Sequence, residues 1–194
     1  MTLFTMLHRL FVMRRSTRAD CARWLGTALT LVASSTFAAD CEMRLSNPEV
    51  DYGTLNRSDM DIRGSVPIAL GNRQLNLTVV CREETRFGLR FEGQAADLNS
   101  YRFADKGHFT ITLSNATLDG NTVQLAQAGS ARPLSPTELL RPNQVVTTMV
   151  QGQRAVGKVF LAQVEIQTYI SDTETYARDI TVLEGLGRLT LDTQ

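Results

Sequence analysis

The chain has 194 residues, of which 43% are hydrophobic, and it carries 20 basic and 20 acidic side chains. This length fits one domain, or one domain with a targeting segment. The composition is ordinary for a globular protein and excludes an intrinsically disordered one.

The first forty residues differ from the rest of the chain. Five arginines precede the short apolar run 24–33, and small residues follow at 34–39. This order is typical of a secretory signal peptide, which we predict at 1–38. The apolar run is far shorter than the roughly 20 residues that a membrane-spanning helix needs.

We expect cleavage after Ala38, with Ala39 and Ala33 as alternative sites and with Met13 as an alternative start. A single domain then covers 39–194. Loss of the signal peptide removes five arginines and one aspartate, which leaves 15 basic and 19 acidic residues and a net charge of about −4. Such a charge gives no reason to expect a nucleic-acid partner.

The cysteines indicate an oxidised pair. Cys21 leaves with the signal peptide, so Cys41 and Cys81 remain, and an even pair in an exported chain predicts a disulfide. Free thiols and a metal site are the alternatives, but a metal would need more ligands than these cysteines and His108, the only histidine left. No lipid anchor is expected at Cys41, because Asp40 stands where a small residue is needed.

Alternation of apolar and polar residues dominates the predicted domain and favours β-strands. Turn residues separate these runs, among them Gly71, Gly157 and the tight-turn signal at 119–121. Seven or eight short strands at this spacing predict an all-β antiparallel sandwich. The strand candidates are 50–55, 75–81, 87–91, 109–117, 123–125, 145–150, 159–170 and 186–191.

Only the segment 135–140 resembles a helix, as one turn capped by Ser135 or Thr137.

The sequence predicts no catalytic, cofactor or metal site, and therefore no enzyme. His108 is expected in a solvated loop, without the oriented partner that a general base needs. Asp59 and Asp61 could form a carboxylate or calcium pair, but a solvated strand edge is the simpler interpretation.

Two further motifs carry weak signals. Asn76 and Asn115 each match the glycosylation pattern, which is common by chance, and Asn76 is expected in a buried strand. The segment 101–103 is either an exposed contact patch or a strand edge and core anchor.

The order of these motifs resembles the pilin domains of chaperone–usher fimbriae, and in its later parts the small β-fimbrial, DUF1120-type branch. The first half of the resemblance is carried by Cys41–Ser46, Val50–Leu55 and Leu75–Cys81, where an apolar-x-aromatic-Gly motif lies between two cysteines. The second half is carried by Phe109–Ala116 with Leu118–Gly120, by Gly157–Val164 and by Arg178–Gly185. The resemblance spans the whole of 39–194.

The resemblance implies an immunoglobulin-like sandwich that lacks its final strand. A periplasmic chaperone would lend that strand, and after passage through an outer-membrane usher another pilus subunit would replace it on the cell surface. The positions that would contact the chaperone or the donor strand are Leu186, Leu189, Leu191 and Gln194.

One feature departs from the family. After cleavage at Ala38 only Ala39 and Asp40 precede Cys41, so no N-terminal extension is left to donate to a neighbour. This suggests a subunit at the fibre tip, a cap or a stand-alone relative. The alternative is an exported adhesin or binding domain that completes its own sandwich.

Overall fold

The computed structural model describes residues 41–57, 67–130, 133–176 and 180–193, which all belong to one compact unit of the chain. The predicted signal peptide, Asp59, Asp61 and Gln194 lie outside these residues. The strands are β1 (Cys41–Leu45), β2 (Ile68–Gly93), β3 (Tyr101–Phe103), β4 (Gly107–Leu118), β5 (Asn121–Thr122), β6 (Gln124–Gln127), β7 (Glu138–Leu139), β8 (Val146–Val150), β9 (Gln153–Arg154), β10 (Val156–Ile170) and β11 (Gly187–Thr193), with a 3₁₀ helix at Asp172–Tyr176.

These strands form two antiparallel sheets that share β2. The first sheet has the order β1–β2–β10–β4, with β3, β5 and β7 paired to β4. The second sheet has the order β11–β2–β8–β6, with β9 paired to β8. The N-terminal half of β2 belongs to the first sheet and its C-terminal half to the second, so one strand connects both layers.

A continuous apolar core fills the space between the sheets. The ring of Phe87, in the second sheet, stacks on Phe160 of the first, with centroids 5.7 Å apart. Tyr101 is fully buried between Phe91 and Phe109, at centroid distances of 4.7 and 5.5 Å. The predicted all-β, immunoglobulin-like antiparallel sandwich is therefore confirmed. Among the described residues no helix is long and apolar enough to cross a membrane.

Two glycines that were predicted to end strands lie inside strands. Gly71 lies in β2 with φ +93°, beside a break in the register with β10, where β2 has one more residue than its partner. Gly157 lies in β10 at a second break, where the additional residues belong to β2, and a Cβ on Gly157 would lie 2.6 Å from both Leu118 and the Asp119 carboxylate. Glycine thus permits a β-bulge at Gly71 and a close approach of Leu118 and Asp119 at Gly157, and in both places it has the same sequence signal as a turn.

Three other local predictions are wrong. The segment 135–140 is not a helical turn, because the amide of Leu140 donates to the carbonyl of Ile111 and β7 pairs with β4. The segment 50–55 is an irregular loop rather than a strand, and Gly53 adopts φ +69° there. The segments 75–81 and 87–91 are parts of one strand, because extended backbone continues through the charged residues between them.

Candidate functional site

The candidate site lies along one edge of β2. β10 pairs with the opposite edge as far as Arg86, and β8 pairs at Gly88 and Leu89. β8 and β9 form a hairpin that leads directly into β10, so β8 and β10 lie along the same edge of β2. β1 pairs with 77–81 and β11 with 87–93, at positions that overlap those used by β10 and β8. A strand has one other edge only, so β1 and β11 share it.

Both sheets therefore end on the same side of the sandwich. Within the described part of the chain, β1 and β11 each pair with β2 alone. The outer edges of both strands thus present unpaired N–H and C=O groups, which is the arrangement that favours pairing with another strand. We call this side, bounded by β1 and β11, the open flank.

Apolar side chains of β1 line one wall of the open flank. Met43 lies opposite Val79 in the register, and Leu45 lies opposite Leu77. Val79 and Leu77 are fully buried, whereas Met43 and Leu45 are only half-buried against the same core. The difference follows from position, because β1 has a neighbour on one side only.

β11 lines the other wall in the same way. Leu189 lies opposite Phe91 and Leu191 opposite Leu89. Leu89 is buried, but Leu189 and Leu191 remain half-buried while packing on the core. We call the surface formed by Met43, Leu45, Leu189 and Leu191 the edge cleft.

The Cys41–Cys81 disulfide fixes β1 at the rim of the edge cleft. The two cysteines are directly opposite each other in the β1–β2 register, with Cα atoms 4.0 Å apart. The predicted disulfide is thus present. It holds a five-residue strand that has no other strand partner among the described residues.

Glycine lets β11 enter the second sheet beside an aromatic ring. A Cβ on Gly187 would lie 2.0 Å from Cζ of Phe91, so a larger residue would push the ring or the strand aside. Leu186, just before the strand, is 76% exposed. Of the four positions predicted to contact a partner strand, Leu189 and Leu191 lie in the edge cleft, Leu186 lies exposed before β11, and Gln194 is outside the described residues.

The remaining candidates do not assemble into a catalytic or metal site. His108 lies in β4 and not in a loop, half-buried and stacked on Tyr169 with centroids 5.0 Å apart. Tyr101 is fully buried and Arg102 and Phe103 are half-buried, which makes 101–103 a core anchor. No group of three His, Cys, Asp or Glu side chains in the described ranges is placed to hold a metal ion.

Sequence reasoning did not single out Met43 and Leu45 as site residues. A usable signal was present, since both alternate with Cys41, and the disulfide fixes which face of β1 points inward.

Comparisons with known proteins gave the following results. No protein-family model and no curated protein matches the sequence. Among solved structures, the chain is similar to the crystal structure of the P pilus rod subunit PapA, with 9% sequence identity, a TM-score of 0.41, and coverage of 80% of this chain and 99% of that chain.

Proposed function

We propose that the chain is a structural, non-enzymatic, pilin-like subunit of a chaperone–usher fimbria that receives a β-strand from another protein at its open flank. The observation that carries this proposal is that β1 and β11 end their sheets on the same side, with half-buried apolar rows facing the core from both. A strand inserted there would pair with an unpaired edge and cover both rows at once.

The chemistry of the edge cleft suits an extended, alternating segment. Side chains of a strand alternate between its two faces, so every second residue of a donor would point into the cleft. The cleft walls present four apolar side chains that are each partly exposed. Covering the exposed remainder would stabilise the domain by about 0.5 kcal/mol per side chain, since full burial of such a residue is worth about 1.5–3 kcal/mol.

The proposed partners follow from this incompleteness. After export by the signal peptide 1–38, a periplasmic chaperone would supply the strand, an outer-membrane usher would secrete the complex, and another pilus subunit would replace the chaperone at the cell surface. Because cleavage after Ala38 would leave no donor segment, we place this subunit at the fibre tip. N-terminal sequencing of the exported protein tests that position, and a mature N-terminus near residue 25 would contradict it.

A tethered strand tests the function directly. A two-residue Asn-Gly turn and a seven-residue strand with valine at alternate positions are added after Gln194, matching β11 in length. The matched control has aspartate in place of each valine. We expect the valine extension to raise the soluble periplasmic yield and to raise Tm by about 4–8 °C, which corresponds to about 2 kcal/mol in a domain of this size.

The outcome separates this function from its main alternative, a self-complete exported adhesin or binding domain. A domain that fills its own cleft would be soluble and monomeric without any extension, and both extensions would leave its Tm unchanged. That result would refute the pilin-like function.

A further inference from the structure

The outer face of the second sheet carries a small pocket above Gly88, with a volume of about 60 Å³. Gly88 is paired with Asp192 of β11 on one side and with Thr147 of β8 on the other, and all three residues line the pocket. Phe87 and Leu89, the neighbours of Gly88 in β2, are buried in the core. Since successive residues of a strand face opposite sides of a sheet, the pocket opens away from the core.

The pocket depends on the absence of a side chain at residue 88. A Cβ there would lie 2.8 Å from Cγ1 of Val145 and 3.1 Å from the carbonyl oxygen of Asp192. Glycine therefore lets these two walls approach each other over the strand. Thr147 lines the pocket from β8 and is 5% exposed, and its hydroxyl donates to the carbonyl of Ala126 over 3.3 Å.

The charged side chains of the lining favour an anion. Arg86, Arg154 and Asp192 line the pocket, so two positive charges and one negative charge leave a net charge of +1. This sign is opposite to that of the predicted domain, which has 15 basic and 19 acidic residues. Asp192 is already engaged, because it accepts a hydrogen bond from Arg90 over 3.5 Å. Within the described residues, the guanidinium of Arg86 has no partner, so its N–H donors are available to a ligand.

The volume of the pocket limits the ligand to a small group. A water molecule needs about 10–15 Å³, so about 60 Å³ accommodates roughly four to six groups of that size. A carboxylate with its adjoining methylene fits this space, and its single negative charge balances the net charge of the lining. Its planar shape also matches the guanidinium fork of arginine. A second negative charge, as on phosphate or sulfate, would be repelled by Asp192.

The uncharged walls suit the end of a side chain that enters from outside. Ala128 is exposed and Val145 is half-buried, so apolar groups border the charged ones and can contact a methylene. A larger metabolite would not fit the volume. The terminal atoms of an aspartate or glutamate would fit, while the backbone that carries them stays outside.

We propose that this pocket binds the carboxylate of an aspartate or glutamate side chain of a partner protein. The pocket lies on the outer face of the second sheet and the edge cleft opens toward the core, so the proposal is independent of strand donation and stands or falls separately.

The test is an NMR titration of the full exported chain, labelled with ¹⁵N and purified from the periplasm. The probe is N-acetylglutamate N-methylamide, and the matched neutral compound is N-acetylglutamine N-methylamide. Sodium propionate represents a free acid. Arg86→Gln removes the charge and the guanidinium fork, and Arg86→Lys removes the fork alone. Arg188→Gln makes the same charge change at an exposed position of β11 outside the pocket, and Asp192→Asn removes the negative charge of the lining.

We expect the glutamate probe, and not the glutamine compound, to shift the amide signals of Gly88 and Thr147. Arg86→Gln should raise Kd about tenfold, the effect of one lost hydrogen bond to a charged group, and Arg86→Lys should raise it less. Asp192→Asn should lower Kd, because a repulsive charge is removed, and Arg188→Gln should leave Kd unchanged. The amide spectra themselves show that the variants are folded.

Four results would overturn the proposal. The first is that the glutamate probe does not bind, or that the glutamine compound binds equally well. The second is that Arg188→Gln weakens binding as much as Arg86→Gln, since the effect would then be one of overall charge. The third is that propionate binds and the glutamate probe does not, which would indicate a site for free acids. The fourth is that the probe binds only after two residues are added beyond Gln194, because the carboxylate of the chain itself would then be the occupant.

Discussion

Reduction of the Cys41–Cys81 disulfide should destabilise the sandwich strongly. The bond joins residues separated by 40 positions in the sequence. On the chain-entropy estimate, closing a loop of that length stabilises the folded state by about 4 kcal/mol, because it restricts the unfolded chain. That is a large fraction of the free energy of unfolding of an ordinary domain.

The folded state should respond locally as well. β1 has five residues and pairs only with β2 in the described structure, so the disulfide is the covalent hold on one wall of the edge cleft. Without it, the amides of β1 should exchange with solvent faster than those of β10, which is paired on both sides.

Urea unfolding followed by far-UV circular dichroism measures the effect. Tryptophan fluorescence does not serve here, because Trp24, the single tryptophan, lies in the predicted signal peptide. With a slope of about 2 kcal/mol/M, a loss of about 4 kcal/mol lowers the midpoint by about 2 M when a reductant is added. The control is the Cys41→Ala/Cys81→Ala double variant, whose midpoint the reductant should leave unchanged. A wild-type shift worth less than about 1 kcal/mol, or an equal shift in the control, would show that the bond does not act in this way.

Three further predictions concern single side chains. Gly157→Ala should cost about 1–3 kcal/mol in urea unfolding, because the new Cβ would lie 2.6 Å from the carboxylate of Asp119, whereas Gly152→Asn, in open space at φ +81°, should change the stability little. Burial raises the pKa of Tyr101 to about 12, so the stability that this residue contributes should be lost as pH rises above 10, and Tyr101→Phe should flatten that alkaline slope in thermal melts. The pKa of Asp97 is lowered, first by the amide of Asn99 and then by the hydroxyl of Ser100, so its contribution should be complete above about pH 5 and disappear as pH falls below 4; equal acid limbs for wild type and Asp97→Asn would contradict this.

Alternation located most strands but not their limits. The predicted strands 109–117 and 159–170 lie within β4 and β10, because a strand with one buried face repeats every two residues. The same pattern could not separate a glycine inside a strand from a turn glycine, since Gly71 lies inside β2 and Gly157 inside β10.

Predictions from neighbouring residues were wrong where backbone groups form hydrogen bonds with a strand that is distant in the sequence. Residues 135–140 carry a proline and a capping hydroxyl, and Ser135 does accept a bond from the amide of Thr137. The amide of Leu140, however, donates to Ile111, and that pairing holds the segment extended. His108 has the neighbours of a loop residue, yet β4 begins one position earlier and sets it against Tyr169.

The edge cleft could not be located from the alternation of apolar and polar residues. Met43 and Leu189 alternate in sequence as Val79 and Leu89 do, so composition cannot tell a wall of the cleft from the core. What separates them is the number of neighbouring strands, which is a property of topology. A missing strand is therefore a prediction from the resemblance, and alternation in the sequence does not provide it.

Among the described residues, the two edges lack two of the features that protect a sheet from unwanted pairing, namely proline and inward-pointing charges. Natural edge strands are blunted by proline, by inward-pointing charges or by a covering loop. β1 and β11 contain no proline, and their core-facing positions are Cys41, Met43, Leu45, Leu189 and Leu191, none of them charged. The charges of β1, Glu42 and Arg44, point outward and pair with each other. An edge with apolar core-facing residues and unpaired N–H and C=O groups is suited to pairing with a further strand, which is the physical reason for proposing a partner strand.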